Sequence, residues 1–147
     1  MKLYLMAILF APLAFLGFGC QPSSSKIRLI VPNYYKGPVK IKQSAEGASV
    51  KKNGGVWIFE IPSTGALEAQ NTEPLRRFQI PAEAFYESGV AIVWALPVVI
   101  GGAEHSDEVM LRQLGTDSDG WYYFFIGTSS DARSYWEKTN GSYDSLP

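Results

Sequence analysis

The sequence predicts an all-β fold: a single antiparallel β-sandwich of about seven to eight strands, followed by one short C-terminal helix. Three observations support this prediction. Short runs of alternating apolar and polar residues recur along the chain. Turn-forming groups of Gly, Pro, Asn and Ser separate these runs at intervals of roughly 8–12 residues. Helical patterns are limited to one turn at residues 81–87 and a stretch near the C-terminus. We assign the sandwich domain to residues 27–139.

Five strand candidates, including a weak one at residues 48–51, lie in the first half of this domain. Residues 26–31 and 39–42 alternate cleanly, so each predicts a strand with one buried face. Residues 53–55, Asn-Gly-Gly, are typical of a tight hairpin turn because these residue types accept positive φ angles. Residues 56–61 then form the partner strand, and residues 66–69 continue after another turn.

The second half is less regular. Residues 75–80 predict a modest strand, and residues 81–87 one helical turn that begins at a proline. Residues 90–100 form the most apolar stretch of the domain and predict a buried strand that bends at Pro97. Residues 109–114 alternate weakly and predict one more strand.

The aromatic run at residues 121–126 is the strongest strand candidate. Because both of its faces are aromatic or apolar, we expect it at a central position, with both faces covered or one face turned to a partner. Ser129 or Ser130 is the expected N-cap of a helix that runs through Lys138 and buries Tyr135 and Trp136. Residues 140–147 are expected to form a loose tail.

The first 19 residues have the composition of an export signal. Lys2 precedes an apolar run that extends to Phe18. This run is shorter than the roughly 20 residues that a helix needs to cross a bilayer. A removable signal peptide therefore fits better than a permanent transmembrane span.

Gly19 and Cys20, at the end of this segment, resemble the lipobox of bacterial lipoproteins, although Gly17 stands where the lipobox usually has Leu. The resemblance implies that Cys20 is lipidated and becomes the N-terminus of the mature protein. Gln21 instead of Asp after the cysteine implies sorting to the outer membrane, if the host has one. Residues 20–26 then form the lipidated cysteine and a short polar tether.

Ordinary secretion into the periplasm or the medium remains an alternative. Gly17 and Gly19 also occupy the small-residue positions of a standard cleavage site. Cleavage there would leave Cys20, the single cysteine of the chain, as an exposed free thiol in an oxidising compartment. Lipidation explains this cysteine more simply.

Charge is unevenly distributed along the chain. Seven basic residues and one acidic residue lie between Lys26 and Lys52, whereas the whole chain has 13 basic and 14 acidic residues. A basic segment close to the lipid could contact anionic head groups, although solvated strand faces explain the same lysines. The acidic total and the export signal disfavour nucleic acid as a partner.

Candidate sites for chemistry are few. The polar cluster Glu104, His105, Asp107 and Glu108 contains the single His and could hold a divalent metal ion. This cluster supports an alternative function, a secreted metal-dependent hydrolase or metal-binding protein centred on His105. An acidic surface loop is the far commoner explanation of such a cluster, and no catalytic residue or cofactor is predicted.

Tyr34 and Tyr35 are the candidate binding residues. They lie in a predicted turn, where large rings are less expected than in a strand, and could stack on a sugar or an extended peptide. The alternative is that both rings cover one end of the domain and serve packing.

Three segments resemble an uncharacterised family of small exported bacterial proteins, many of them lipoproteins. The similar segments are Tyr35-Lys-Gly-Pro-Val-Lys-Ile41, Glu60-Ile-Pro-Ser-Thr-Gly65 and Phe124-Phe-Ile-Gly-Thr128. The resemblance implies a compact β-sandwich akin to the prealbumin-like accessory domains of carboxypeptidases. It implies no enzymatic activity. Together with Cys20 it predicts a lipid-anchored cell-envelope protein with a non-catalytic binding or accessory domain, whose partner is an envelope protein or a glycan.

Overall fold

A computed structural model describes residues 26–76, 82–94 and 107–139. These residues form nine strands, a 3-10 helix between β5 and β6 (Glu73–Arg76), and one α-helix, α1 (Ser129–Lys138). The strands are β1 (Lys26–Val31), β2 (Gly37–Ala48), β3 (Lys51–Asn53), β4 (Val56–Glu60), β5 (Ala66–Ala69), β6 (Ala82–Tyr86), β7 (Ala91–Trp94), β8 (Met110–Thr116) and β9 (Tyr122–Gly127). The prediction of a β-rich fold with a short C-terminal helix is confirmed.

The strands form one mixed sheet in the order β3-β4-β1-β6-β7-β8-β9-β2-β5. β1 pairs in parallel with β4 and β6, and the pairs β2–β5 and β7–β8 are also parallel. The sheet curls into a half-barrel. The expected purely antiparallel sandwich is therefore wrong in strand direction. The alternation of β1 and β2 reports a buried face correctly, but it carries no information on the direction of the neighbouring strand.

Residues from both halves of the curled sheet share one hydrophobic core. Ile27, Leu29 and Val31 of β1 are buried, as the alternation of this strand predicts. Removing such side chains from water is the main stabilising contribution, at roughly 25 cal/mol for each Å² of apolar surface. The largest fully buried side chains are Phe59, Leu29, Ile41, Leu111, Ile126, Val31 and Val39.

The aromatic strand β9 lies between β8 and β2. All six of its residues are buried, which confirms the central position that its two apolar faces predict. On one face Phe124 and Ile126 join the core. On the other face Phe125 packs against Tyr135 of α1, with ring centroids 5.2 Å apart.

Helix α1 begins one residue earlier than the sequence indicates. Thr128, not Ser129 or Ser130, is the N-cap: the backbone N–H of Asp131 donates to Thr128 Oγ1 at 3.1 Å, and the backbone N–H of Thr128 donates to Asp131 Oδ2 at 2.9 Å. This reciprocal pair is a capping box. Tyr135 and Trp136, which the sequence predicts to be buried by the helix, are half-buried.

Two predicted elements of the middle region are wrong. Residues 82–86 form strand β6 instead of a helical turn, because pairing with β1 outweighs the local helical preference. Leu75 lies in a 3-10 helix instead of a strand, and residues 77–80 lie outside the described part of the chain.

Strand β7 joins the two halves of the sheet and is more exposed than expected. It pairs with β6 on one side and with β8 on the other. Ile92 is buried, but the side chains of Val93 and Trp94 are exposed, so a fully buried strand is wrong for this part of the apolar stretch. Pro97 and the rest of that stretch lie outside the described residues. In the part of the chain that is described, no helix is long and apolar enough to cross a bilayer.

Candidate functional site

The turn between β1 and β2, residues 32–36, presents an exposed aromatic side chain. We call it the tyrosine turn. The backbone N–H of Tyr35 donates to the carbonyl of Pro32 at 3.0 Å and closes the turn. Tyr34 has a φ angle of 64°, and its side chain is 92% exposed. A non-glycine residue in this left-handed region costs roughly 1–2 kcal/mol, so the turn holds Tyr34 outward against a local energetic preference.

The neighbouring ring, Tyr35, has the opposite role. Its hydroxyl donates to the backbone carbonyl of Pro38, and the ring is half-buried against Gly65. Burial raises the pKa of the Tyr35 phenol. The two predicted binding tyrosines therefore differ: the ring of Tyr34 is exposed, whereas the ring of Tyr35 packs inside the turn and supports it.

A second turn, between β6 and β7, lies beside the tyrosine turn. The backbone N–H of Ser88 donates to Asn33 Oδ1 at 2.9 Å, and the N–H of Glu87 donates to the carbonyl of Val31 at 2.9 Å. Val90 at the end of this second turn is 59% exposed. These bonds hold the turn that carries Val90 next to the turn that carries Tyr34.

A buried arginine braces the start of α1. Arg112 is 4% exposed, and its guanidinium donates to the carbonyl of Gly127 at 2.7 Å and to Ser129 Oγ at 3.0 Å. Burial lowers the pKa of Arg112, and the nearby charge of Asp131 opposes this shift. Asp131 also lies 3.9 Å from Lys36 Nζ, which connects the helix start to the tyrosine turn. The sequence analysis missed Arg112, because a single Arg in a weakly alternating strand gives no sign of burial.

The outer face of β2 holds a second feature that the sequence did not indicate. The ammonium groups of Lys40 and Lys42 lie 5.4 Å and 5.6 Å from the ring centroid of Trp121. Such contacts are attractive because the face of an indole ring is electron-rich. The cluster depends on the antiparallel register of β2 with β9, which the linear sequence does not display.

The predicted metal cluster is only partly described. Asp107 and Glu108 are exposed, and Glu104 and His105 lie outside the described residues. Residues 26–76, 82–94 and 107–139 contain no group of three His, Cys, Asp or Glu side chains arranged to hold a metal ion. Cys20 lies outside the described part of the chain as well.

Comparisons with known proteins give little. No protein-family model and no curated protein matches the chain. Among solved structures there is a similarity to a crystal structure of a putative lipoprotein from Bacillus anthracis, with a TM-score of 0.42 and 13% sequence identity. The match covers 81% of this chain and 79% of the other. A similarity at this level does not establish a shared fold.

Proposed function

We propose that this protein is an exported, lipid-anchored protein of the bacterial cell envelope, lipidated at Cys20, whose β domain binds an envelope protein or a glycan without catalysis. The observation that carries the binding role is the tyrosine turn, with Tyr34 exposed in a left-handed conformation. Aromatic rings displayed in this way are common at recognition surfaces because they bury a large area with few rotatable bonds.

The anchoring role is supported by the order of segments along the chain. An apolar leader ends at the single cysteine, a short polar stretch follows, and strand β1 begins at Lys26. A protein held by a lipid on Cys20 requires this order. Sorting to the outer membrane, in hosts that have one, is a further part of the proposal and is supported by Gln21 alone.

Intact mass of the protein extracted from membranes tests the anchor. The wild type should start at Cys20 and carry acyl chains, whereas Cys20→Ser should yield a protein without added lipid mass. A soluble wild-type product that begins at an unmodified Cys20 would contradict the anchor and favour ordinary secretion. Fractionation of inner and outer membranes from a two-membrane host tests the sorting separately.

Quantitative pull-downs from solubilised envelopes test the binding role. Tyr34→Ala should remove a partner that the wild type retains, and Tyr34→Phe should keep it if the ring face makes the contact. Glu87→Ala, an exposed change in the neighbouring turn, is the matched control. Equal retention of every protein and glycan by wild type and Tyr34→Ala would show that Tyr34 is not a binding residue.

Metal analysis tests the non-catalytic part of the proposal. The purified wild type and His105→Ala should show the same metal content. A stoichiometric metal ion that is lost in His105→Ala would overturn the proposal and establish the hydrolase or metal-binding alternative.

A further inference from the structure

The end of the sheet where the chain enters β1 carries a group of cations. The backbone N–H of Lys26 donates to the carbonyl of Gly55 at 3.1 Å, so the start of β1 lies directly beside the hairpin between β3 and β4. Register places Lys26 opposite Val56, and Lys52 opposite Trp57. We call this group, formed by Lys26, Lys51, Lys52, Trp57 and the turn 53–55, the tether-side surface.

Carboxylates compensate only part of this charge. Glu83 accepts hydrogen bonds from Arg28 at 3.0 Å and from Lys26 at 3.5 Å, and Lys51 lies 2.6 Å from Glu60. Lys52 has no carboxylate within 4 Å among the described residues. The net charge at this end is +2, from the four cations Lys26, Arg28, Lys51 and Lys52 and the two anions Glu60 and Glu83.

Trp57 adds an amphipathic ring to the same end of the sheet. It lies with Lys52 on the core face, whereas Lys26 and Lys51 lie on the outer face. It is half-buried against the core, and the ammonium group of Lys52 lies 4.7 Å from its ring centroid. Trp beside Lys is the composition that proteins place at the boundary between lipid and water, where the ring body is apolar and the cation meets phosphate groups.

The length of the tether restricts which surface can face the membrane. Six residues, 20–25, separate the proposed lipid attachment from the start of β1. When fully extended they reach about 20 Å. The tyrosine turn lies beyond the opposite end of β1, a further six residues or about 20 Å away along the strand. The tether-side surface is therefore the part of the domain that the tether brings closest to the lipid.

We propose that the tether-side surface rests on the anionic head groups of the membrane that holds Cys20, so that the tyrosine turn is directed away from the membrane. This inference rests on the proposed lipid anchor and adds an orientation to it. Anionic phosphate groups match the net positive charge, and Lys26 and Lys52 are their principal contacts.

Lysine acetylation on vesicles measures this orientation. The chain from Cys20 onward is coupled through the Cys20 thiol to a maleimide lipid, on vesicles of phosphatidylcholine alone or with added phosphatidylglycerol. At a surface potential near −30 mV, acetylation of Lys26, Lys51 and Lys52 should be about threefold slower on the anionic vesicles, because protons are enriched there by roughly that factor. Acetylation of Lys36, in the tyrosine turn, should be unchanged.

Two variants provide the matched comparison. Lys26→Gln/Lys52→Gln should abolish the protection of Lys51, whereas Lys40→Gln/Lys42→Gln, the same charge change on the outer face of β2, should leave it in place. Protection of Lys36, or equal acetylation of every lysine on both vesicles, would overturn the proposed orientation.

Chemical coupling makes the outcome independent of natural lipidation. An unmodified Cys20 in the intact-mass experiment refutes the anchor, whereas the acetylation pattern decides the orientation.

Discussion

The two ends of strand β1 are built in different ways. The tyrosine-turn end is held by close packing and directed hydrogen bonds: Tyr35 fills the space above Gly65, and Arg112 bonds the start of α1. The tether-side end is held by the hairpin at Gly54 and Gly55, where a Cβ would meet no atom within 4 Å, and by ion pairs between solvent-exposed side chains. The close packing at the tyrosine-turn end tolerates a single geometry. At the tether-side end, side chains can be replaced without disturbing the core. This difference predicts how each end responds to substitution.

The largest contrast is expected between two glycines with positive φ angles. At Gly65 a Cβ would collide with the Tyr35 hydroxyl and with the carbonyl of Pro38, whereas at Gly54 nothing lies within 4 Å. Gly65→Ala should therefore lower the free energy of unfolding by about 2–5 kcal/mol through strain and overpacking. Gly54→Ala should cost about 1–2 kcal/mol, from strain alone. Urea unfolding measures both, and equal costs would mean that the Tyr35–Gly65 contact does not support the turn.

Two arginines form the second comparison. Arg112→Met removes one charged hydrogen bond to the buried carbonyl of Gly127 and another to Ser129 Oγ, and it should cost about 2–3 kcal/mol. Arg28→Met breaks an ion pair with Glu83 that is about one third exposed, so its cost should stay within about 1 kcal/mol. Thermal and urea unfolding report the two losses. A larger loss for Arg28→Met would contradict the assignment of Arg112 as the brace of α1.

Substitutions of the adjacent residues Tyr34 and Tyr35 should differ in their effect on stability. Tyr35→Phe leaves the carbonyl of Pro38 without the hydroxyl donor and should cost about 1 kcal/mol. Tyr34→Ala removes an exposed ring and should change stability by less than about 0.5 kcal/mol. A destabilised Tyr34→Ala would indicate that the ring serves packing, and the proposed binding role would then lose its support.

The smallest effects concern pH and salt. Hydrogen bonds from Thr128 lower the pKa of Asp131, and the hydrogen bond from Arg28 lowers the pKa of Glu83. A folded-state pKa below the unfolded value means that each carboxylate stabilises the fold above about pH 4 and that this contribution is lost as the pH falls through the folded pKa. Asp131→Asn and Glu83→Gln should each lower the urea midpoint at pH 7 but not near pH 2.

The two carboxylates should differ in how salt changes the effect of their substitution. High salt should reduce the effect of Glu83→Gln, which removes an ion pair, and change the effect of Asp131→Asn less, since Asp131 caps backbone groups. Equal salt sensitivity of the two variants would argue against different kinds of support at the two ends.

Much of the β architecture was predictable from local patterns. The alternation of residues 26–31 identified the buried face of β1, and Asn-Gly-Gly identified the hairpin, in which Gly54 and Gly55 have φ angles of 53° and 85°. The aromatic run identified the central strand β9. Each of these features depends on a few consecutive residues, whose side chains and φ preferences act within one strand or turn.

The candidate site was predictable only in part. The sequence identifies Tyr34 and Tyr35 as unusual residues for a turn. It does not predict that one ring is exposed and that the other lies against Gly65. That division depends on β5, which is distant in sequence and reaches β2 through parallel pairing. The cluster of Lys40, Lys42 and Trp121 was missed for the same reason, because it forms across the register of two strands.

The sequence by itself determined the strands with a strong alternation and the helix near the C-terminus, and it predicts a leader that ends at Cys20. Only the tertiary structure decided that residues 82–86 form a strand, that β1 has parallel neighbours on both sides, and that Lys26 adjoins the glycine hairpin. The physical reason is that alternation shows which face of a strand is buried, whereas the neighbours and register of that strand follow from contacts between distant parts of the chain.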